Sequence, residues 1–493
     1  MGIGQRGTGG AAADIAGLGC GLLALALLGA QIAADPASGM SYSHSPFTDE
    51  GWTALGARNL VLLGRWATDE WQLYLAQLPH SITLAAVFEA FGVGIIQARA
   101  VSVVASALAV GLVTLLVARR FGTAPGVVAG VGLAASTLFL YYGRLAILEP
   151  LVVVFLVAGL AALAWGTEER WLVPGLVTGA CLALALGTKP SSVAAAAGIV
   201  AGAVAAGGGS GALGTLARRA AVALAVVTVL GAAWWAFVRS MPGAWDAILR
   251  TWPNQVPDPS LGAILEQVAT FPAESDGAMR LAAPLLVTAA AGVVVAAARW
   301  RSLATSQRVV IGACVGWFVL GIVALLVVPY RPNRYFVPLL PPLAILAGVA
   351  AWGALPLLSR RLAIRAEAVR AAAAAVVALV LAVQGLAYLA RWTANATYDL
   401  PRIQEELVGL MTDGHAVQGA GPTFAMRVPV PTIVVRTNLN VGDSYADHGV
   451  RWLLTNRTAV PTWAEAHAEA WAARTTLACY PWPSGEACLI RVP

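Results

Sequence analysis

Long apolar segments alternate with short polar connections along most of the chain. An α-helix needs ~20 apolar residues to cross a bilayer, and eleven segments come close to or reach that length. They lie at about 15–33, 98–117, 124–142, 150–166, 172–187, 191–207, 220–239, 281–298, 309–328, 335–356 and 371–389. This pattern predicts an all-α polytopic membrane protein with about eleven transmembrane helices.

Three segments are too polar for a bilayer: 34–97, 240–280 and the tail that begins near 390. The first segment contains two predicted helices, one from Thr48-Asp49 to about Gly64 and one that Pro79 opens. Their apolar residues recur near helical spacing, so we expect both helices to lie on the membrane surface. The sequence therefore divides into a membrane domain over 1–390 and a polar domain over 391–493.

The tail has the texture of a small α/β domain. An amphipathic helix is predicted over 399–412 and a second helix over about 462–473. Strands are predicted at Ala416–Gln418, Thr432–Arg436, Arg451–Leu454, Thr475–Tyr480 and Ala487–Val492. Cys479 and Cys488 flank the turn between the last two strands, so we expect a disulfide there. No Cys-x-x-Cys motif or histidine cluster indicates a zinc site.

Composition and charge agree with a membrane protein. Hydrophobic residues make up 59% of the chain and charged residues 11%, whereas a soluble domain carries about 25% charged residues. The net charge of +6 does not indicate a nucleic-acid partner, because arginines concentrate in alternate short loops, as at Arg119-Arg120 and Arg218-Arg219. By the positive-inside rule these loops are cytoplasmic. We therefore expect the plasma (inner) membrane, a cytoplasmic N-terminus and an extracytoplasmic tail.

A few ionisable residues stand at the predicted outer ends of the spans, where they are functional candidates. They are Asp49, Glu50, Arg144, Glu149, Lys189, Arg331 and Arg334, and Lys189 is the only lysine. Each has a simpler explanation: acids favouring a helix N-terminus, a local ion pair, a snorkelling lysine or arginines that anchor to headgroups. Together they also suit chemistry on a lipid phosphate, because Arg and Lys bind phosphate and a carboxylate can act as a general base.

Several short motifs, taken in order, resemble those of the GT-C glycosyltransferases. The resemblance is to the branch of protein O-mannosyltransferases and the lipid A aminoarabinose transferase, and it covers about residues 15–390. The matching stretches are Asp49-Glu50-Gly51, Ala57-Arg58-Asn59, Leu78-Pro79-His80, YYGRLAILEP with Glu149, GTK with Lys189, and NRYFVPLLPPLAILAG. The tail lacks the Trp-Trp-Asp motif of oligosaccharyltransferases, which argues against en bloc oligosaccharide transfer.

The resemblance implies transfer of a sugar, with inversion, from a polyprenyl-phosphate donor to a hydroxyl of a cell-envelope glycan, lipid or protein. Asp49 would be the general base, a role that Glu50 could share. Glu149, which stands where relatives carry an acid, is the third implied catalytic residue. The implied donor-phosphate residues are Lys189, Arg331, Arg334 and Arg144, and the implied substrate-binding residues are Arg58, His80 and Tyr335. The same branch implies no required cofactor and no essential metal, although a divalent cation is not excluded.

Two other functions remain open from the sequence. A glycan polymerase or ligase would also transfer a group from a lipid carrier, but to a different acceptor. A non-enzymatic lipid flippase or transporter would need polar residues near the spans as well. The chain shows no internal repeat of the transporter type, and it has almost no ionisable residues at the middle of its spans. Neither the sugar nor the acceptor is encoded in a recognisable motif.

Overall fold

The fold is described from a computed structural model of the chain. It covers residues 6–35, 49–69, 77–165, 170–208, 213–240, 260–362, 366–419, 421–433, 447–456, 464–465, 467–482 and 485–493. Thr48, at the predicted start of the first loop helix, lies outside these residues. The same holds for 241–259, in the second polar segment.

Within the described residues, helices are the only regular secondary structure of the membrane domain. Its first seven helices are α1 Arg6–Gly29, α2 Glu50–Leu63, α3 Leu78–Phe91, α4 Ile95–Phe121, α5 Thr123–Ala134, α6 Thr137–Tyr142 and α7 Glu149–Leu163. The next seven are α8 Leu172–Thr188, α9 Val193–Gly207, α10 Leu213–Ser240, α11 Leu261–Arg299, α12 Thr305–Val327, α13 Leu340–Leu362 and α14 Ala366–Ala394. Short 3-10 helices at Pro190–Ser192, Trp300–Ser302 and Asn333–Leu339 stand directly before or after α9, α11 and α13.

Each of the eleven predicted spans lies on one or two helices in the described residues. Among the helices that the structure describes, eight are long and apolar enough to cross a membrane: α1, α4 and α9 to α14. The other predicted spans correspond to the shorter apolar helices α5, α7 and α8, and the predicted span 124–142 is broken between α5 and α6. The predicted fold class of a polytopic helical membrane protein with a small C-terminal α/β domain is confirmed.

The structure adds detail to two of the polar segments. The predicted loop 240–280 is helical from Leu261 onward, because α11 continues for 39 residues through Pro272 and Pro284. The predicted surface helix α2 is mostly buried, with Leu55 only 3% exposed. Its apolar residues pack in one core with α3, α4 and the C-terminal domain. The helical spacing of these apolar residues therefore reflects contact with protein on more than one side of α2.

Helices α9 and α12 pack backbone against backbone. Gly198 and Gly202 face Gly316 and Gly312, and a Cβ atom added at Gly202 would collide with the carbonyl oxygen of Gly312. Small residues spaced four apart are a common way for membrane helices to approach closely. The tight crossing leaves room at the end where α9 begins and α12 ends, and that end borders the candidate site.

The C-terminal domain contains helices α15 Asp399–Leu410, α16 Gly421–Phe424 and α17 Ala468–Ala472 and a five-stranded mixed sheet. The strands are β1 Ala416–Gly419, β2 Thr432–Ile433, β3 Val450–Asn456, β4 Thr475–Trp482 and β5 Gly485–Arg491, in the order β2-β1-β3-β5-β4. Strand β1 is parallel to β2 and β3, whereas β5 is antiparallel to both β3 and β4. Cys479 and Cys488 are paired across β4 and β5 and form a disulfide.

The C-terminal domain is fastened to the end of the first span by a long-range helix cap. Asp35 follows α1, and its carboxylate accepts hydrogen bonds from the backbone N–H groups of Asp399 at 2.5 Å and Leu400 at 3.2 Å. These N–H groups lie in the first turn of α15, where a helix has no internal acceptor for them. Burial raises the pKa of Asp35 despite the bonds that oppose this shift.

We predict that Gly202→Ala destabilises the protein, because the new methyl group must push α9 away from α12. Overpacking of this kind costs about 1–3 kcal/mol, which thermal unfolding in detergent would report as a lower Tm. The matched control is Gly231→Ala in α10, where an added Cβ meets nothing within 4 Å. If both variants unfold at the wild-type temperature, the close α9–α12 packing is wrong.

Candidate active site

A buried ion pair fixes the start of α2. Arg99 of α4 donates through Nε and Nη2 to the two carboxylate oxygens of Glu50, at 2.7 and 2.8 Å, and both side chains are fully buried. The N–H of Ala146 donates to the same carboxylate at 2.8 Å. Arg99 also donates to the carbonyl oxygens of Ile32 and Ala34. The ion pair therefore joins four chain segments: the start of α2, α4, the segment after α1 and the segment around Ala146. Because its carboxylate is engaged in these contacts, Glu50 is a poor candidate for a general base.

Asp49 has a different environment although it precedes Glu50 directly. It is the N-cap residue of α2, but its side chain makes no cap hydrogen bond. Its carboxylate is 43% exposed and lies 2.6 Å from Nη2 of Arg334. Of the two adjacent acids, Asp49 is the one that a ligand can reach from solvent.

Two cations gather around a second, buried carboxylate. Glu149 is the first residue of α7 and is 2% exposed. Its Oε1 lies 2.5 Å from Nζ of Lys189 at the end of α8 and 3.8 Å from Nε of Arg334. Lys189 also lies over the ring of Tyr335, 3.7 Å from its centroid. The order Asp49, Arg334, Glu149, Lys189 is thus a continuous line of alternating charge.

A small cleft begins at the Lys189 end of this line. It has a volume of about 90 Å³ and is bounded by Lys189, Ser192 and Tyr335 on its polar side. Ala195 of α9 and Leu325 of α12 are among the apolar residues of its other wall. An amphiphile could place an anionic group beside the ammonium and the first part of an apolar chain in the cleft.

The C-terminal domain is clamped to the helix that carries Asp49. Arg58 of α2 is 1% exposed and donates to the backbone carbonyl oxygens of Ala425, Met426, Val428 and Val430. Burial lowers the pKa of Arg58 to about 9. Arg58 was expected among the substrate-binding residues, but its donors are occupied by protein carbonyls.

The approach of the two parts is closest beside Asp49. An added Cβ at Gly51 would collide with the backbone of Pro422 and Thr423 in α16. The carbonyl oxygen of Thr423 is in turn held by the side-chain amide of Gln404 at 2.7 Å. The C-terminal domain therefore forms part of the surroundings of Asp49.

The remaining predicted residues lie elsewhere or play other parts. Arg144 donates to the carbonyl oxygen of Gln31 and stacks on Trp392 at 3.5 Å, so it joins the ends of α1 and α14. Arg331 binds Glu274 at 2.7 Å and Thr270 at 2.6 Å on α11.

Histidine 80 was expected to bind substrate, but the imidazole of His80 is only 1% exposed. Burial lowers its pKa to about 4, against the opposing effect of the Glu149 carboxylate. The ring is therefore neutral at pH 7 and offers no positive charge to a phosphate.

Sequence reasoning missed Arg99, although a signal was available. An arginine at the start of an apolar span needs a counterion, because a buried unpaired charge is costly. Within the described residues, the one cluster with metal-ligand geometry is Cys479, Glu486 and Cys488. Its two sulfurs are already joined in the disulfide, so this cluster is not a metal site.

Comparison with known proteins gives one family match. Residues 80–235 match the family model described as dolichyl-phosphate-mannose-protein mannosyltransferase. The matched region contains Glu149 and Lys189. No curated protein sequence shows significant similarity to the chain.

Solved structures resemble the chain over nearly its whole length. ArnT from Cupriavidus metallidurans in the apo state superposes with a TM-score of 0.61 at 16% identity, over 95% of this chain and 96% of that one. The same protein bound to undecaprenyl phosphate gives 0.60 at 14% identity, again over 95% and 96%. The archaeal oligosaccharyltransferase AglB from Archaeoglobus fulgidus, in complex with an inhibitory peptide and a dolichol-phosphate, gives 0.56 at 13% identity over 96% and 74%. The fold is therefore the GT-C fold that the sequence motifs resemble.

We predict that Glu50→Gln destabilises the protein strongly, because it leaves the guanidinium of Arg99 buried without a counter-charge. Breaking a buried pair in this way costs about 3–5 kcal/mol, which appears as a large drop in Tm. The control is Asp276→Asn, which removes an exposed ion pair with Arg280 and should leave Tm unchanged. Equal Tm values for the two variants would contradict the structural role of Glu50.

Proposed function

We propose that the protein is a membrane glycosyltransferase that moves a sugar from a polyprenyl-phosphate donor to an acceptor hydroxyl. The observation that carries this proposal is the line of alternating charge, which runs from the exposed carboxylate of Asp49 to Lys189 at the edge of an apolar cleft and contains two cations. The family match and the fold support it. Two of the similar structures hold undecaprenyl phosphate and dolichol-phosphate, which belong to the proposed class of carrier.

The donor phosphate would bind Lys189 and Arg334. Charged donors bind phosphate oxygens more strongly than neutral ones, and the planar guanidinium can engage two oxygens at once. Glu149 would act as a positioning residue, because it contacts both cations and is itself almost fully buried. The prenyl chain would continue along the cleft towards Leu325. Arg144 and Arg331 take no part in this site, since their contacts tie them to other helices.

Asp49 would act as the general base. Its carboxylate takes the proton from the acceptor hydroxyl while that oxygen forms a bond to the anomeric carbon. The bond from the anomeric carbon to the phosphate oxygen breaks on the opposite side, which inverts the configuration. The electron pair leaves with the polyprenyl phosphate, whose negative charge is stabilised by Lys189 and Arg334.

The acceptor would be a cell-envelope glycan, lipid or protein that reaches Asp49 past the C-terminal domain. The positive-inside pattern favours the outer face of the plasma (inner) membrane for this reaction. A glycan polymerase or ligase would use the same donor site and differ only in the acceptor. A flippase or transporter would not need the exposed carboxylate of Asp49 next to a phosphate-binding arginine.

We predict that Asp49→Asn abolishes transfer. Loss of a general base lowers a rate by about 10²–10⁴-fold, whereas binding of the polyprenyl-phosphate donor should persist because Lys189 and Arg334 remain. The assay is product formation by purified protein given a labelled polyprenyl-phosphate sugar and a cell-envelope extract. Asp399→Asn, at an exposed aspartate that is also paired with an arginine, is the matched control. Near-wild-type turnover by Asp49→Asn would rule out the assigned base.

We also predict that transfer needs no divalent metal, since protein cations would supply the charge at the phosphate. A chelator such as EDTA should leave the transfer rate unchanged in the same assay. A rate that falls with EDTA and returns with Mg²⁺ or Mn²⁺ would show that a metal shares this task.

A further inference from the structure

A second, larger cavity lies at the opposite end of α4 from the candidate active site. It has a volume of about 610 Å³ and opens between α1, α4 and α7. Arg99 marks the active-site end of α4, and Arg119 and Arg120 border the cavity at the other end. At a rise of ~1.5 Å per residue, the 21 residues from Arg99 to Arg120 separate the two ends by roughly 30 Å, which is about the thickness of a bilayer core.

The cavity brings two guanidinium groups to one wall. Arg119 pairs with the exposed carboxylate of Asp14 at 2.6 Å and stacks against Trp165 at 5.2 Å. Arg120 donates through Nη2 to the carbonyl oxygen of Ala164. Within the described residues, Asp14 is the one acid that pairs with either arginine. One carboxylate thus faces two guanidinium groups, so that Arg119 and Arg120 together keep positive charge available for an anion.

The other walls of the cavity are apolar. Leu112, Leu115 and Leu116 of α4 lie one or two turns from the arginines, towards the middle of the membrane, and Ala161 of α7 lies opposite. Trp165 at the cavity edge is 55% exposed, as is usual for an indole at the headgroup level of a bilayer. The walls of the cavity change from charged to apolar towards the middle of the membrane. A lipid changes in the same direction, from its charged headgroup to its apolar acyl chains.

Backbone donors add to the positive charge. Gly122 follows Arg120 closely, has a φ of 107° and turns the chain directly into α5, whose first residue Thr123 also borders the cavity. Gly122 is the N-cap residue of α5 and has no side chain that could bond to the N–H groups of the first turn. The N–H groups there are suited to phosphate oxygens. This feature only supplements the two arginines and the apolar wall.

We propose that this cavity binds the phosphate headgroup of an anionic phospholipid from the leaflet opposite the active site. Arg119 and Arg120 would hold the phosphate and the α4 leucines would contact the first acyl methylenes. The inference is independent of the sugar-transfer reaction, because it uses none of the residues assigned to that site. The membrane is the expected source of the ligand, since the apolar wall would have no function for free phosphate.

The test measures lipid retained on the purified full-length protein by native mass spectrometry, with phosphatidylglycerol or phosphatidylcholine added in detergent. We expect wild-type protein to retain phosphatidylglycerol in preference to phosphatidylcholine. Arg119→Gln/Arg120→Gln should lose roughly tenfold or more in that affinity, as expected for the loss of charge-assisted bonds. The matched control, Arg218→Gln/Arg301→Gln, changes the net charge equally at two exposed arginines and should bind as wild type does.

A second variant guards against a folding defect. Ala161→Trp fills the cavity without changing the charge, and it should also lose phosphatidylglycerol binding. Equal binding by all variants, or equal loss in the control, would overturn the proposal. If inorganic phosphate displaced the lipid at a comparable concentration, the assignment of a lipid as the ligand would be wrong. Absence of phosphatidylglycerol binding to the wild-type protein would also overturn the proposal.

Discussion

The buried ion pair between Glu50 and Arg99 determines where the rest of the site can be. Both side chains are fully buried, and the pair also binds the backbone at Ile32, Ala34 and Ala146. Removing either partner would leave an uncompensated charge in a low-dielectric interior. The start of α2 therefore has one stable position against α4. As a consequence, Asp49, the residue before Glu50, is held in its position at the candidate active site.

The C-terminal domain reinforces the same helix from the opposite side. Arg58 places its positive charge in a cage of backbone carbonyls, and Gly51 allows α16 to approach the first turn of α2. The cap that Asp35 provides for α15 anchors this domain to the first span as well. The domain is thus part of the framework that positions Asp49.

The sequence predicts the elements of this fold much better than the partners of its charged residues. Apolar runs place all eleven predicted spans on helices, and alternation locates the strands near Ala416, Thr432 and Arg451, because hydropathy and periodicity are local properties. They do not show which way a side chain points. In the sequence, Arg144 and Arg331 stand at span ends just as Arg334 does. In the structure, Arg144 stacks on Trp392 and Arg331 pairs with Glu274.

Adjacent residues show this limit most clearly. Asp49 and Glu50 cannot be ranked from their spacing, since the difference between them is the presence of Arg99 on another helix. Lys189 stands out in the sequence only as the single lysine, whereas its contact with Glu149 depends on the packing of α7 against α8.

We propose above that Lys189 and Arg334 bind the phosphate of a polyprenyl carrier. The affinity of undecaprenyl phosphate for purified variants tests this binding most directly. We predict that Lys189→Gln and Arg334→Gln each lower this affinity roughly tenfold or more, whereas Arg402→Gln keeps the wild-type affinity. Unchanged affinity in both site variants would contradict it.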